Sequence, residues 1–189
     1  SVIKALNECK VSFDVIEDGK NLGDYSHIIL PGIGSFEAGV RQLKSQNFFE
    51  KLKNLKENTK ILGICLGMQL LFEGSEECDN SEIRGLGLIK GKVRKMKDNL
   101  EAHIYIPHIG WNSIKKKKDM KFDIKVDKDY YFANSYHVCP INKDDIKFVY
   151  KHGIEYCAVV NNEDYFGFQF HPEKSENGIR ILNSFCKLD

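Results

Sequence analysis

The chain has 189 residues, 42% hydrophobic and 29% charged, the proportions of a folded water-soluble protein with enough mass for one sizeable core. Lysine and arginine (28) balance aspartate and glutamate (27), which excludes a general attraction to nucleic acid or to an anionic membrane. No apolar run is long enough to span a bilayer.

Partners must therefore be sought in local sites. The run Lys115 to Lys118 reads as a solvated turn. The six cysteines are scattered, with no CxxC pair and no cysteine–histidine cluster, so neither a metal site nor a disulfide framework is expected. No basic and then apolar leader opens the chain, and the expected setting is the reducing cytoplasm, where thiols stay free.

In chain order, Val2 to Glu8 has apolar residues at helical spacing, and Phe13 to Glu17 reads as a strand. His27 to Leu30 is a buried strand that ends at Pro31 and enters a glycine loop, Gly32-Ile33-Gly34. Val40 and Leu43, then Phe48, Phe49, Leu52 and Leu55, predict helical segments broken near Asn47. Ile61 to Ile64 is the next buried strand, and Leu66 to Phe72 turns helical. Strand-like runs follow at Leu88–Val93, Tyr105–Ile114, Tyr130–Val138, Phe148–Lys151, Tyr156–Val160 and Phe166–Phe170. Ile179, Ile181, Leu182 and Phe185 predict a closing helix. The class is α/β: a single domain over residues 1–189, with a central mostly parallel sheet, helices on both faces and an additional antiparallel portion in the second half.

Two constellations carry chemistry. Gly63-Ile64-Cys65-Leu66-Gly67 joins a buried strand to a helix in the form of a nucleophile elbow, with small residues flanking a sharp turn. A cysteine there meets free helix N–H groups, which favour a thiolate, and the N–H of Leu66 is an oxyanion donor. A cysteine in an apolar strand is ordinarily a small buried filler. The second constellation, Gln169-Phe170-His171-Pro172-Glu173, ends another strand. Alternation along a strand places His171 and Glu173 on one side, where a carboxylate orients the imidazole as the third member of a triad. Both motifs stand at strand ends, where open α/β sheets hold their ligand crevices. Gly32 and Gly34 read by themselves as a turn, but two glycines in three residues let the backbone approach a ligand, and a loop N–H, that of Gly34, is the candidate second oxyanion donor.

Pro31-Gly32-Ile33-Gly34-Ser35-Phe36, the segment Gly63 to Phe72 and the segment Gly167 to Ser175 together resemble class I, triad-type glutamine amidotransferases. Within that class, Pro107-His108-Ile109-Gly110-Trp111-Asn112 resembles the glutaminase subunits of imidazole glycerol phosphate synthases. The resemblance implies a flavodoxin-like fold of that class and a glutaminase without cofactor or metal. In it Cys65 attacks the side-chain amide of glutamine, His171 moves the proton and Glu173 orients His171. It also implies that Gly32, Gly34, Gln69 and Glu77 hold the substrate, with Ser135 and Tyr136 contributing through their backbone. Ammonia then passes to a (β/α)8 barrel cyclase in a heterodimer, with Trp111, Asn112 and Lys174 at the interface.

Two features depart from the pattern. The family begins with a strand that this sequence does not show before Ser1, and Asn134 stands where the family has histidine. Alternative functions are a paralogous glutaminase feeding an amidino-sugar synthase, a non-catalytic regulatory relative, and a stand-alone hydrolase of γ-glutamyl compounds.

Overall fold

The computed structural model describes residues 1–80, 82–98, 103–122 and 124–189. In chain order its elements are α1 (Val2–Glu8), β1 (His27–Gly32), α2 (Phe36–Ser45), α3 (Phe48–Lys53), β2 (Lys60–Cys65), α4 (Leu66–Leu70), β3 (Gly74–Ser75) and β4 (Gly91–Lys95). There follow β5 (His108–Lys116), β6 (Asp129–Asn134), β7 (Tyr136–Pro140), β8 (Ile146–His152), β9 (Ile154–Asn162), β10 (Tyr165–Phe168) and α5 (Glu176–Cys186).

A seven-stranded sheet has the order β1-β2-β10-β9-β8-β5-β6. β1, β2 and β10 run parallel, and from β10 outward every pairing is antiparallel. The class is α/β, and the antiparallel portion extends the same sheet beyond its parallel strands. A second sheet of three strands has the order β3-β4-β7.

β2 is buried throughout because it has a neighbour on each edge and helices on each face. Alternation along it divides the core. Leu62 and Ile64 pack with Ala5 of α1 and Ile181, Leu182 and Phe185 of α5, while Ile61 packs with Val40, Leu43, Leu52 and Met68 on the opposite face. The covering helices begin where the sequence supplies caps. Ser35 accepts a hydrogen bond from the N–H of Ala38 to start α2, and Ser175 accepts one from Gly178 to start α5. No helix among the described residues is long and apolar enough to cross a membrane.

Three sequence expectations change. Phe13–Glu17 forms no strand. Its pattern is strand-like, but a strand needs a hydrogen-bonded neighbour; β1 pairs on one edge only, and Asp14 and Ile16 lie across a groove of about 520 Å³ lined by β1. The run Tyr130–Val138 is two strands, broken at Ser135, with β6 in the large sheet and β7 in the small one. The helix after Cys65 ends at Leu70, where the chain bends toward the small sheet.

Candidate active site

The turn from β2 into α4 holds Cys65 at φ 54° and ψ −108°, a left-handed conformation that costs a non-glycine residue about 1–3 kcal/mol. Surrounding backbone fixes it there. A Cβ on Gly63 would lie 2.4 Å from the carbonyl oxygen of Gly67, and one on Gly67 would lie 1.7 Å from that of Leu30. Only glycine at both positions allows β1, β2 and α4 to close around the turn. Cys65, 8% exposed, lines a cavity of about 330 Å³ together with Ile33, Gly34, Leu66, Gln69, Glu77, Pro107, Ile109, Ala133–Tyr136 and His171. That size suits a small polar molecule. The larger groove along β1 touches His171 and Glu173 at one end, but Cys65 does not line it.

His171 arrives from β10 by an indirect route. After Phe168 the chain leaves β9: the N–H of Gln169 still bonds Ala158, but that of His171 bonds the carbonyl of Tyr131 in β6, 2.9 Å away. Pro172 then opens a 3-10 turn over Pro172–Lys174. The strand alternation expected to align His171 and Glu173 is therefore not the cause of their contact. The turn brings Glu173 Oε1 back to 3.0 Å from His171 Nδ1, which leaves Nε2 for the sulfur.

The electrostatics follow from this geometry. His171 is pushed up to about 9, first by its interaction with Cys65 and then by Glu173, against the opposing effect of burial. Burial is also the largest influence on Glu173 and would raise it. The hydrogen bond from His171, a backbone N–H and the imidazolium charge outweigh burial and hold the carboxyl below its ordinary value. At neutral pH the site holds an imidazolium between a carboxylate and the cavity sulfur.

The structure gathers most of the residues singled out from sequence. Gly34, at φ 97°, and Leu66 line one wall. Gln69 Nε2 donates to the carbonyl of Tyr136 at 3.2 Å, tying α4 to the start of β7. Glu77 Oε2 accepts from the N–H of Phe36 at 2.7 Å, bridging the cavity to the start of α2. Ser135 and Tyr136 border it where the two sheets part. Gly32 is not in the cavity: it ends β1 beside Cys65 in the ladder and faces the outer groove.

The three residues expected at a partner surface separate. Trp111 is 55% exposed and stacks edge-on with Tyr131, and Lys174 Nζ lies 5.7 Å from the centre of the Tyr131 ring. Asn112 points to the other side of β5 and donates to the carbonyl of Lys151 at 2.9 Å. Exposed Ile33 and Ile109 extend the Trp111 surface to the cavity mouth.

Two residues acquire surroundings that the sequence reading did not supply. Asn134 is buried and its Nδ2 donates to the carbonyl of Tyr136 and to the hydroxyl of Tyr150, both at 2.9 Å. Gln169 is fully buried, with Nε2 3.9 Å from Cys65 Sγ. A glutamine inside an otherwise aromatic strand end, two residues before His171, was the available signal.

Residues 2–187 match the family model described as glutamine amidotransferase class-I. The chain belongs to that family. It is 43% identical over 179 residues to the imidazole glycerol phosphate synthase subunit HisH of Sulfurimonas denitrificans, covering 92% of this chain and 85% of the relative. Identity to the subunit of the same name from Bacillus subtilis is 37% over 193 residues, covering 100% of this chain and 90% of the relative. A glutamine amidotransferase crystal structure superposes with a TM-score of 0.71 over 96% of this chain and 88% of its own, at 14% identity, which concerns the fold alone. The family resemblance read from Gly63–Phe72, Gly167–Ser175 and Pro107–Asn112 is thus borne out, as is the class of enzyme: one that hydrolyses glutamine.

Proposed function

We propose that this chain is the glutaminase subunit of an imidazole glycerol phosphate synthase. It releases ammonia from glutamine at the Cys65 cavity and passes it to a separate (β/α)8 barrel cyclase, which makes imidazole glycerol phosphate and an aminoimidazole carboxamide ribotide in histidine biosynthesis. The observation that carries the chemistry is His171, paired with Glu173 at 3.0 Å, sharing one cavity with Cys65.

Cys65 sulfur bonds to the side-chain carbonyl carbon of glutamine as the carbonyl electrons move to oxygen. The N–H groups of Leu66 and Gly34 stabilise that oxyanion. The C–N bond then breaks, His171 gives its proton to the departing nitrogen, and ammonia leaves a γ-glutamyl thioester. Neutral His171 next removes a proton from water, hydroxide adds to the thioester, and collapse expels the sulfur, restoring the starting ion pair and leaving a γ-carboxylic acid that loses its proton to water as glutamate departs. Glu173 holds His171 in the required tautomer throughout. Gln69 and Glu77 hold the amino-acid end, with the backbone at Ser135 and Tyr136.

The apolar surface of Ile33, Ile109 and Trp111 at the cavity mouth supports a partner that covers the exit. The cytoplasm, where thiols stay reduced, suits a free nucleophilic cysteine. Glutamine hydrolysis measured with and without the barrel cyclase tests the reading. Strong stimulation by the barrel is expected, and full activity of the isolated chain would contradict partner dependence.

A further inference from the structure

We propose that Gln169 is a hydrogen-bond donor to the Cys65 sulfur, beside His171 and the Ala133 carbonyl at 3.9 Å, and that Gln69 holds it in its donating orientation. The inference rests on the glutaminase reading only in taking the Cys65 sulfur as the reacting atom.

The orientation of both amides follows from what each neighbour can accept. The carbonyl of Tyr136 accepts only, so the Gln69 group facing it at 3.2 Å is Nε2. The same nitrogen stands 3.4 Å from the Gln169 side-chain oxygen. With its oxygen turned to Gln69, Gln169 presents Nε2 to the sulfur at 3.9 Å. Gln169 is fully buried and Gln69 nearly so, so water does not compete for these groups. A buried amide donor without an acceptor is costly; the Cys65 sulfur is the acceptor that this one faces. The relay runs from β7 through α4 to the strand end that bears His171, and it reaches the sulfur independently of the His171–Glu173 pair. Gln69 thus has a task besides lining the substrate cavity: as a positioning residue it fixes which end of Gln169 meets the sulfur.

The test is alkylation of Cys65 by iodoacetamide in the full-length chain, followed by peptide mass spectrometry so that the other cysteines do not enter. Gln169→Met keeps the bulk and removes the donor. Near neutral pH its Cys65 alkylation rate is expected to fall about ten-fold, the size of one hydrogen bond to a charged group. Above about pH 10, where a thiol ionises without help, the rate should match that of the original chain. A merely structural role would leave the ratio between the two pH values unchanged, and that result in a folded variant would overturn the proposal. If Gln169→Met does not fold, Gln69→Met is read the same way, since it frees Gln169 to turn; an unchanged ratio there overturns the proposal equally. Glutamine hydrolysis by the unsubstituted chain with its barrel partner is measured in parallel. Its absence would count against the glutaminase reading, and the alkylation ratio would still decide the role of Gln169.

Discussion

His171 Nδ1 and Glu173 Oε1 stand 3.0 Å apart across one 3-10 turn opened by Pro172. Because Glu173 and Cys65 both favour the imidazolium, removing either lowers the point at which His171 loses its proton. In Glu173→Gln that point should fall below about 9, and in Cys65→Ser it should fall further, since the sulfur is the larger influence. Titration of the imidazole by NMR checks both. Glutamine hydrolysis by Glu173→Gln with the partner present should drop by about 10²-fold or more, the usual share of a correctly oriented acid–base group.

Stability should respond to pH at two histidines with opposite sense. Burial and the charge of neighbouring His152 push His108 down to about 4 from an ordinary 6.5. Below 6.5 the unfolded chain takes up a proton that the folded chain refuses, so stability falls as pH drops from 6.5 toward 4. His171 works the other way: its contribution is full below 6.5 and lost as pH rises through about 9. Relative to His108→Gln, which has no titrating group at that position, the original chain should lose melting temperature as pH drops from 6.5 toward 4, and the difference between the two should be constant above 6.5.

The turn under Cys65 tolerates no added carbon. Gly67→Ala places a Cβ 1.7 Å from a backbone oxygen that cannot rotate away, and should cost about 3 kcal/mol or more in urea unfolding. Gly74→Ala, where nothing lies within 4 Å, is the matched control and should change stability little.

Trp111, 55% exposed, stands two residues along β5 from Ile109 of the cavity lining; it is the proposed contact with the partner. Trp111→Ala should weaken binding of the barrel cyclase by about 2 kcal/mol, roughly 30-fold, in calorimetry. The melting temperature of the isolated chain should barely move, because the ring is already 55% exposed.

The parts of the fold and site legible in the sequence are those written in local pattern. The apolar runs of β1 and β2, the glycines around Cys65, the capped helices α2 and α5 and the His-Pro-Glu triplet each carry their own signal. What depended on distant neighbours was not legible. Phe13–Glu17 alternates like a strand yet has no ladder partner, and Tyr130–Val138 reads as one strand because nothing in its alternation marks Ser135 as the point where it changes sheets. The expected contact of His171 with Glu173 is present, but it is closed by the chain turning at Pro172 rather than by strand alternation, and the Pro172 that makes that turn reads equally well as the end of a strand. Gln169 and Asn134 show their surroundings only when three separate elements meet. The Asn134 amide, between Tyr136 and Tyr150, occupies a polar niche assembled from β6, β7 and β8.

If the glutamine amide is broken at the Cys65 sulfur, that sulfur carries a γ-glutamyl group during turnover. The most direct measurement is an acid quench of the chain turning over glutamine beside the proposed barrel partner, with the protein then weighed and mapped by mass spectrometry. A γ-glutamyl group on Cys65, absent in Cys65→Ala together with ammonia release, is the expected result. Sustained hydrolysis by Cys65→Ala, or an acyl group on any other residue, would contradict it.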